Sequence, residues 1–256
     1  MIDSRAVIDA AAELDEGVSV GPFAVIGADV RIGQGTRIGP NVVIKGPTRI
    51  GRDNHIYQFA SVGEDPQDMK YAGERTYLEI GDRNVIREFA TVNRGTVQDA
   101  LTTRIGNDNL FMAYIHVAHD CQIGNHVIMA NGASLGGHVK IDDWSILGGF
   151  TMVHQFCRVG AHVFCAMGTG VSKDIPPYLM VSGHPAKPYG INSEGLRRRG
   201  FSAVSIQQIK RGYKTLYLQQ NKLEQALEKL RELSLSAPEL RRYVDFLEKS
   251  ERSIVR

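Results

Sequence analysis

Four histidines and an aspartate in the middle of the chain stand out because together they could carry out general-base catalysis. They are His116, His119, His138 and His154, with Asp120 directly after His119. An imidazole can take a proton from a hydroxyl group, and a carboxylate can hold that imidazole in one tautomer. A backbone N–H that a glycine leaves accessible can bind an oxyanion. These residue types suit general-base catalysis if the fold brings them together.

The element that must position them is a six-residue repeat. Large aliphatic residues recur at every sixth position over residues 2–62, 80–92 and 105–171, and small or branched residues dominate four places later. A period of six fits neither a helix nor a simple amphipathic strand. It fits short parallel strands wound as a triangular prism, with three hexads per coil. The sequence therefore predicts a mainly β protein, a hexapeptide-repeat parallel β-helix.

The repeat predicts which residues stack on neighbouring coils. Residues 18 apart should lie about 4.8 Å from each other on one face. His119 then stacks with Gly137 and Gln155, and Asp120 stacks with His138. A base, an oxyanion donor and a carboxylate that orients the base would thus form one cluster, which is our candidate active site.

Two interruptions of the repeat are expected to be loops. In the first, the core positions fall on Asp68 and Glu74, which are not buried without partners. Residues 64–79 should therefore leave the prism. A second excursion is predicted near 98–104. Long loops on a compact scaffold are often functional.

The repeat fades after residue 171, and the chain is expected to form two domains. Residues 1–189 are predicted to be the β-helix, and residues 190–256, where leucines recur at spacings of three and four, an α-helical domain. This second domain holds 14 Lys and Arg against 8 Asp and Glu. It would be a basic cap on one end of the solenoid.

Composition excludes several classes of protein. Of the 256 residues 43% are hydrophobic and 23% charged, and 30 basic against 28 acidic residues leave a net charge of +2. A nucleic-acid partner, a membrane span and a signal peptide are not expected. Three cysteines are too few for a secreted disulfide framework, and Cys121, Cys157 and Cys165 occupy core positions of the repeat. We therefore expect a cytoplasmic protein whose cysteines serve packing.

Hexads are shared by many acyltransferases, but several other segments of this sequence are typical of a single family. The sequence resembles the UDP-N-acetylglucosamine O-acyltransferases of lipid A synthesis essentially from end to end, and the segments that carry the resemblance are 67–74 (QDMKYAGE), 116–121 (HVAHDC), 136–139 (GGHV), 153–157 (VHQFC) and 192–201 (NSEGLRRRGF). Three residues depart from the family pattern: Asn93 stands where His is usual, and Gly132 and His184 stand where Asn is usual.

The resemblance implies a left-handed β-helix and a homotrimer with the cleft between neighbours. It implies transfer of an (R)-3-hydroxyacyl chain from acyl carrier protein to the 3-hydroxyl of UDP-N-acetylglucosamine, the first step of lipid A synthesis, without metal or organic cofactor. His119 would be the base, Asp120 its orienting carboxylate and Gly137 the oxyanion donor. The basic tail would dock the acidic carrier protein.

The family's binding residues carry over to matching positions. Met167 matches the far end of the family's acyl groove, where bulkier residues go with shorter chains, so a chain of about ten carbons is expected. The residues that would contact the sugar nucleotide or line the groove are Gln67, Asp68, Lys70, His116, His138, His154, Gln155, Asn192, Glu194, Arg198 and Arg199.

Other functions remain open at this point. A zinc hydratase on the same scaffold would need three imidazoles on one metal, and the His-x4-His spacing of such enzymes is absent. A non-enzymatic rod would leave the histidine cluster unexplained. An acetyl-CoA enzyme or the related UDP-acylglucosamine N-acyltransferase is a further alternative, although the latter usually has an extra N-terminal domain. The acceptor could also be a sugar nucleotide with an amine at position 3 of the sugar in place of the hydroxyl.

Overall fold

The computed structural model describes all 256 residues. Its strands form three sheets of nine, eight and ten strands, and in the first two sheets every third strand of the chain lies side by side. Each sheet is therefore one face of a prism that the chain winds around. The parallel β-helix predicted from the hexads is confirmed.

The strands are short because the chain turns a corner after each hexad. Face 1 contains Val7–Ile8, Val25–Ile26, Val43–Ile44, Ser61–Glu64, Thr91–Asn93, His116–Val117, Ser134–Leu135, Met152–Val153 and Gly170–Val171. Face 2 contains Glu13–Leu14, Val30–Ile32, Thr48–Ile50, Tyr77–Ile80, Thr102–Ile105, Gln122–Ile123, Lys140–Ile141 and Arg158–Val159. Face 3 contains Ser19–Val20, Arg37–Ile38, His55–Ile56, Val85–Ile86, Leu110–Phe111, Ile128–Met129, Ile146–Leu147, Phe164–Cys165, Leu179–Ser182 and, antiparallel at its end, Lys187–Ile191.

The aliphatic residue of each hexad points into the prism. Neighbouring strands pair in register, as Leu135 does with Val153, and 42 buried residues form one continuous core. All three cysteines are buried, and burial raises the pKa of the Cys121 and Cys165 thiols to about 12. A thiol with so high a pKa is a poor nucleophile, so the cysteines pack the core as predicted.

Both loop excursions leave the prism at the same corner, between faces 1 and 2, which we term the 1/2 corner. The first spans residues 65–76 and the second residues 94–101. The sequence-based bounds of 64–79 and 98–104 are corrected here. Strands of four residues, Tyr77–Ile80 and Thr102–Ile105, bring the chain back onto face 2 before the hexad frame resumes. The second excursion therefore begins earlier than expected, directly after Asn93.

The C-terminal region is helical. Helix α1 spans Ser193–Arg198, α2 Ala203–Tyr217, α3 Leu223–Ser234 and α4 Arg241–Glu248, and a 3₁₀ turn at Pro238–Leu240 precedes α4. A second cluster of 13 buried residues holds these helices on the end of the prism. The expected boundary at 189/190 falls inside the strand Lys187–Ile191. No helix here has the length and apolar character that crossing a bilayer requires.

The corner between faces 2 and 3, the 2/3 corner, carries a stack of aromatic rings. His162 is buried between Trp144, at 6.5 Å between ring centroids, and Tyr178, at 5.6 Å. Burial, and then the charges of Arg199 and Arg242, lower the pKa of His162 to about 4. The ring is therefore uncharged in the folded protein at neutral pH.

This buried imidazole makes the fold acid-sensitive. An unfolded histidine takes up a proton near pH 6.5, whereas folded His162 does so only near pH 4. The unfolded state binds more protons in that window, so stability should fall as the pH drops from about 6.5 to 4, by on the order of 3 kcal/mol. We expect His162→Phe to flatten this dependence in thermal melts at pH 7 and pH 4.5. Tyr178→Phe, which alters the same stack, should lower both melting temperatures alike; a His162→Phe slope equal to that of the wild type would contradict the assignment.

Candidate active site

His119 lies at the 1/2 corner, in the turn that leads from face 1 to face 2. Its side chain is 11% exposed, and its Nδ1 lies 2.9 Å from Oδ2 of Asp120. The Nδ1–H donates to this carboxylate, so the lone pair of the neutral ring is on Nε2. The ring is thereby prepared to accept a proton at Nε2.

Gly137 lies directly beneath the His119 ring on the next coil. A Cβ at position 137 would be 2.5 Å from Cε1 and 2.6 Å from Nε2 of His119. Only glycine permits this approach, and its φ is not in the left-handed region, so the requirement is one of space. Gly137 is buried, yet its N–H donates no hydrogen bond within the chain. A buried N–H that lacks a partner and lies next to an imidazole can donate a hydrogen bond to an oxyanion.

Asp120 is held by the second excursion. Its carboxylate accepts from the hydroxyl of Thr96 at 2.6 Å and from the Thr96 N–H at 3.0 Å. Burial alone would raise the pKa of Asp120, but the hydrogen bonds from His119 and Thr96 outweigh it and lower that pKa. Asp120 is therefore an ionised, fixed acceptor at neutral pH. The structure has both predicted neighbours on adjacent coils, His119 on Gly137 and Asp120 beside His138.

Two more histidines adjoin the cluster. The His138 ring meets that of His119 edge-on, with 4.9 Å between centroids. His116 faces outward on face 1, and its Nδ1 lies 2.7 Å from the Thr91 hydroxyl. Burial, and secondarily the charge of His119, lower the pKa of His116. Two imidazoles thus lie at the corner itself, and that of His116 lies on the adjoining face 1.

A cleft of about 1160 Å³ opens beside the cluster. It lies between the two excursions and the C-terminal segment, and Gln67 is not among its lining residues. The predicted site residues that do line it are Asp68, Lys70, His138, His154 and Gln155, and the sequence analysis had not singled out its other lining residues, which include Asp99, Lys140, Arg158, Lys249 and Arg252.

The remaining predicted binding residues lie elsewhere, on α1 at the 2/3 corner. Asn192 caps α1 through the Gly195 N–H and donates to the His162 carbonyl. Glu194 pairs with Arg197 and Arg198. The guanidinium of Arg199 lies 5.4 Å from the centroid of the Trp144 ring. One chain therefore does not bring Asn192, Glu194, Arg198 and Arg199 to His119.

Met167 lies at the third corner, between faces 3 and 1. It is 77% exposed, and its Cγ is 3.9 Å from the position that a Cβ on Gly149 would occupy. Space beside Gly149 is thus occupied by the Met167 side chain. An apolar pocket of about 340 Å³ lies between this corner and the 1/2 corner, over Met152, His154 and His184 on the outside of face 1.

The sequence analysis missed residues that lie outside the repeat frame. Arg94 is buried and bonds to the Gly63 carbonyl, the Asp65 carboxylate and the Tyr71 hydroxyl, which ties down the first excursion. Asn93, the departure from the family pattern, donates to the Asp65 carbonyl at 2.6 Å. The signal available in the sequence was an arginine at an interruption of the repeat, which could have been paired with the charged residues of the first loop.

One group of side chains has the composition of a metal site. Ligand atoms of His119, Asp120 and His138 lie within 4.8 Å of one another. However, the Asp120 carboxylate already accepts from His119 and Thr96, so a cation at this carboxylate would have to displace those hydrogens. The structure also offers two imidazoles here, whereas a zinc hydratase would need three. The donor set therefore fits a proton-transfer site better than a metal centre.

Fold and site together define a class, the hexapeptide-repeat transferases. The sequence model described as bacterial transferase hexapeptide (six repeats) matches residues 29–63 and 102–137. The model described as UDP N-acetylglucosamine O-acyltransferase, domain 2, matches residues 174–255. The chain belongs to the UDP-N-acetylglucosamine O-acyltransferase family, and it is an acyltransferase.

Individual relatives support this membership over the full length. The acyl-acyl-carrier-protein–UDP-N-acetylglucosamine O-acyltransferase of Herminiimonas arsenicoxydans is 55% identical over 260 residues, covering 100% of this chain and 99% of its own. That of Pseudomonas fluorescens is 55% identical with the same coverage. The crystal structure of the Francisella novicida UDP-N-acetylglucosamine acyltransferase matches with a TM-score of 0.98 at 43% identity, covering 100% of this chain and 94% of that one. The resemblance stated from the motifs is confirmed.

Proposed function

We propose that this enzyme transfers an (R)-3-hydroxyacyl chain from acyl carrier protein to the 3-hydroxyl of UDP-N-acetylglucosamine, the first step of lipid A synthesis. The relatives carry this donor and this acceptor in their names. The observation that carries the chemistry is the His119 ring, which lies on the Gly137 backbone and is held by Asp120. We also place the enzyme in the cytoplasm, because its three free, buried cysteines suit a reducing compartment.

The mechanism follows from which atoms are free. Nε2 of His119 takes the proton of the sugar hydroxyl, and the oxygen forms a bond to the thioester carbonyl carbon. The resulting oxyanion accepts from the Gly137 N–H, a type of interaction worth about 10²–10³ in rate. The C–S bond then breaks, and the thiolate leaves with the proton from the imidazolium. Asp120 stays ionised and stabilises the imidazolium throughout.

The cleft supplies groups for the acceptor. Lys70 and His154 would face the sugar or its phosphates, and Asp68, His138 and Gln155 would complete the polar lining. His116 would act from face 1, and Gln67 from the rim of the cleft. Lys70 and Lys140 have no carboxylate within ion-pair distance. Two unpaired ammonium groups in one cleft favour an anionic ligand such as a diphosphate.

A second copy of the chain would complete the site. Asn192, Glu194, Arg198 and Arg199 would grip the uridine diphosphate, and Arg suits bidentate phosphate contacts, but they lie at the 2/3 corner. A neighbouring subunit can bring its 2/3 corner to the 1/2 corner that holds His119. Face 3 is suited to such a contact because its outward column is apolar and partly exposed: Val85, Leu110, Ile128, Ile146 and Phe164. We therefore propose a homotrimer with shared clefts, in which the basic helical region docks the acidic carrier protein.

The reaction is tested by product analysis. UDP-N-acetylglucosamine incubated with a mixture of acyl carrier protein thioesters should yield one monoacylated sugar nucleotide, whose mass identifies the chain. Linkage analysis should place the acyl group on O3. No acylated product, or acylation of a 3-amino sugar in preference, would contradict the proposed acceptor.

Metal removal distinguishes general-base catalysis by His119 from a mechanism that needs bound zinc. We expect exhaustive dialysis against EDTA to leave the transferase rate unchanged, since His119 and Asp120 already satisfy each other by a hydrogen bond. Metal analysis of the dialysed and undialysed protein is the companion measurement. A rate that falls with the zinc content and returns on adding zinc would refute general-base catalysis without metal.

Met167 is proposed to set the acyl chain length. An unbranched side chain that fills the far end of the groove should favour chains of about ten carbons, because further methylenes would overpack it at a cost of about 1–3 kcal/mol. Met167→Gly should shift the preference towards about fourteen carbons, since each methylene buried adds about 0.8 kcal/mol. Competition between the two thioesters measures this. Met167→Leu, of similar volume, should keep the shorter chain, and a wild type that prefers fourteen carbons would show that Met167 is not the limit.

A further inference from the structure

The second excursion, residues 94–101, contacts the site through a side chain that no repeat position suggested. Oδ2 of Asp99 lies 2.6 Å from Nδ1 of His138. Asp99 is 52% exposed, whereas the His138 side chain is 12% exposed and lines the cleft. The exposed carboxylate therefore covers one nitrogen of a nearly buried ring, and the structure shows no partner for the other nitrogen.

Two other contacts fix the plane of the His138 ring. Phe156 stacks on it, with 4.4 Å between centroids and 8° between planes. The His119 ring meets it edge-on at 89°. Rotation of the ring by 180° about its bond to Cβ puts Cδ2 in the place of Nδ1 and Cε1 in the place of Nε2, and it keeps both contacts. Neither contact can therefore decide whether Nε2 or Cε1 faces the cleft.

We propose that Asp99 is a positioning residue that makes this decision. Its carboxylate accepts from Nδ1–H of His138, which leaves Nε2 as the hydrogen-bonding atom for the acceptor substrate. Carboxylates fix functional histidines in this way. Asp120 does not compete for the role because its nearer oxygen is 3.9 Å from Nδ1 of His138. The inference rests on the proposed function, since the ligand of Nε2 is taken to be the sugar nucleotide.

Loss of the carboxylate should weaken substrate binding more than chemistry. His138 would contact the acceptor in the ground state and the transition state alike, so removing its orientation raises KM and leaves kcat nearly unchanged. We expect Asp99→Ala to raise the KM for UDP-N-acetylglucosamine about tenfold, with kcat within about twofold. Asp99→Asn, which keeps an acceptor oxygen, should raise it about threefold. Glu228→Ala, which removes an exposed carboxylate without a partner on α3, is the matched control and should change neither constant.

A double-mutant cycle tests whether Asp99 acts through His138. In a His138→Ala background, Asp99→Ala should change kcat/KM by less than about twofold, because the ring that it orients is gone. An equal tenfold loss in both backgrounds would overturn the proposal and would indicate a general effect of the loop. Thermal melts of all variants verify that they fold.

A spectroscopic readout keeps the proposal separate from the assigned reaction. In protein with ¹⁵N-labelled histidine at pH 8, the His138 signals of the wild type should show the Nδ1–H form, and Asp99→Ala should lose that preference. An unchanged His138 spectrum in Asp99→Ala overturns the proposal whatever the substrate is. A changed spectrum without any transfer to UDP-N-acetylglucosamine in the wild type would instead reject the proposed function and leave the positioning contact intact.

Discussion

Replacing His119 with alanine is expected to lower kcat by about 10³-fold or more. General-base catalysis supplies about 10²–10⁴ in rate, and here the ring also covers the Gly137 backbone and completes the wall of the site. Initial rates with saturating acyl carrier protein thioester and UDP-N-acetylglucosamine measure the loss. The fold should persist because His119 points away from the prism core, as circular dichroism and size-exclusion chromatography would verify.

Arg31→Ala is the matched control for this variant. Arg31 also faces outward from the prism and pairs with Glu13 at 3.0 Å, but it belongs to face 2 and not to the 1/2 corner. Its loss should leave kcat unchanged. If His119→Ala kept more than about a tenth of the wild-type kcat, another group would have to be the base, and the assignment of His119 would be abandoned.

Gly137→Ala is expected to reduce kcat by about 10²-fold or more although it adds only one methyl group. The new Cβ would lie 2.5 Å from the His119 ring, so the imidazole must move away from Asp120 or the turn must distort. Either change separates the base from the oxyanion donor, and a displacement of about 1 Å can cost 10² in rate. The decisive measurement is kcat together with the KM of both substrates.

Gly27→Ala provides the comparison at the same corner, several coils away. A Cβ at position 27 would have its nearest neighbour, the Ile44 carbonyl oxygen, at 3.5 Å, which is ordinary van der Waals contact. This variant should retain full activity. If Gly137→Ala were equally active, the close approach of His119 to the backbone would have no catalytic significance.

The hexad frame predicted a large part of this site because orientation repeats along a regular solenoid. Once Cys121 and Cys157 were assigned to core positions, His119 and Asp120 had to lie outside the core at the same turn. The 18-residue coil then predicted His119 over Gly137 without further information. The structure adds the contact distances, which depend on the glycine.

Contacts made by the loops and by the C-terminal segment could not be predicted in this way. Asp99 reaches His138 across 39 residues, and Arg252 donates to the Gln155 carbonyl across 97. Neither separation is a multiple of the coil, because Asp99 lies within an interruption of the repeat and Arg252 lies after its end. The sequence also could not predict that Arg199 and His119 lie at different corners of the prism, because a motif match does not show where in the fold a residue lies.

The attachment of the C-terminal segment makes the two ends of the solenoid unequal. Ser250 donates to the Asp174 carboxylate at 2.6 Å, and the Val255 N–H donates to the Asp174 carbonyl at 2.9 Å, so the segment is fastened one coil beyond His154. Inserting a coil between His154 and Asp174 would move Asp174, and with it the attached C-terminal segment, away from the cleft. Coils before residue 50 have no such tie to the C-terminal segment, so adding or removing a whole coil on the N-terminal side should leave the geometry of the site in place.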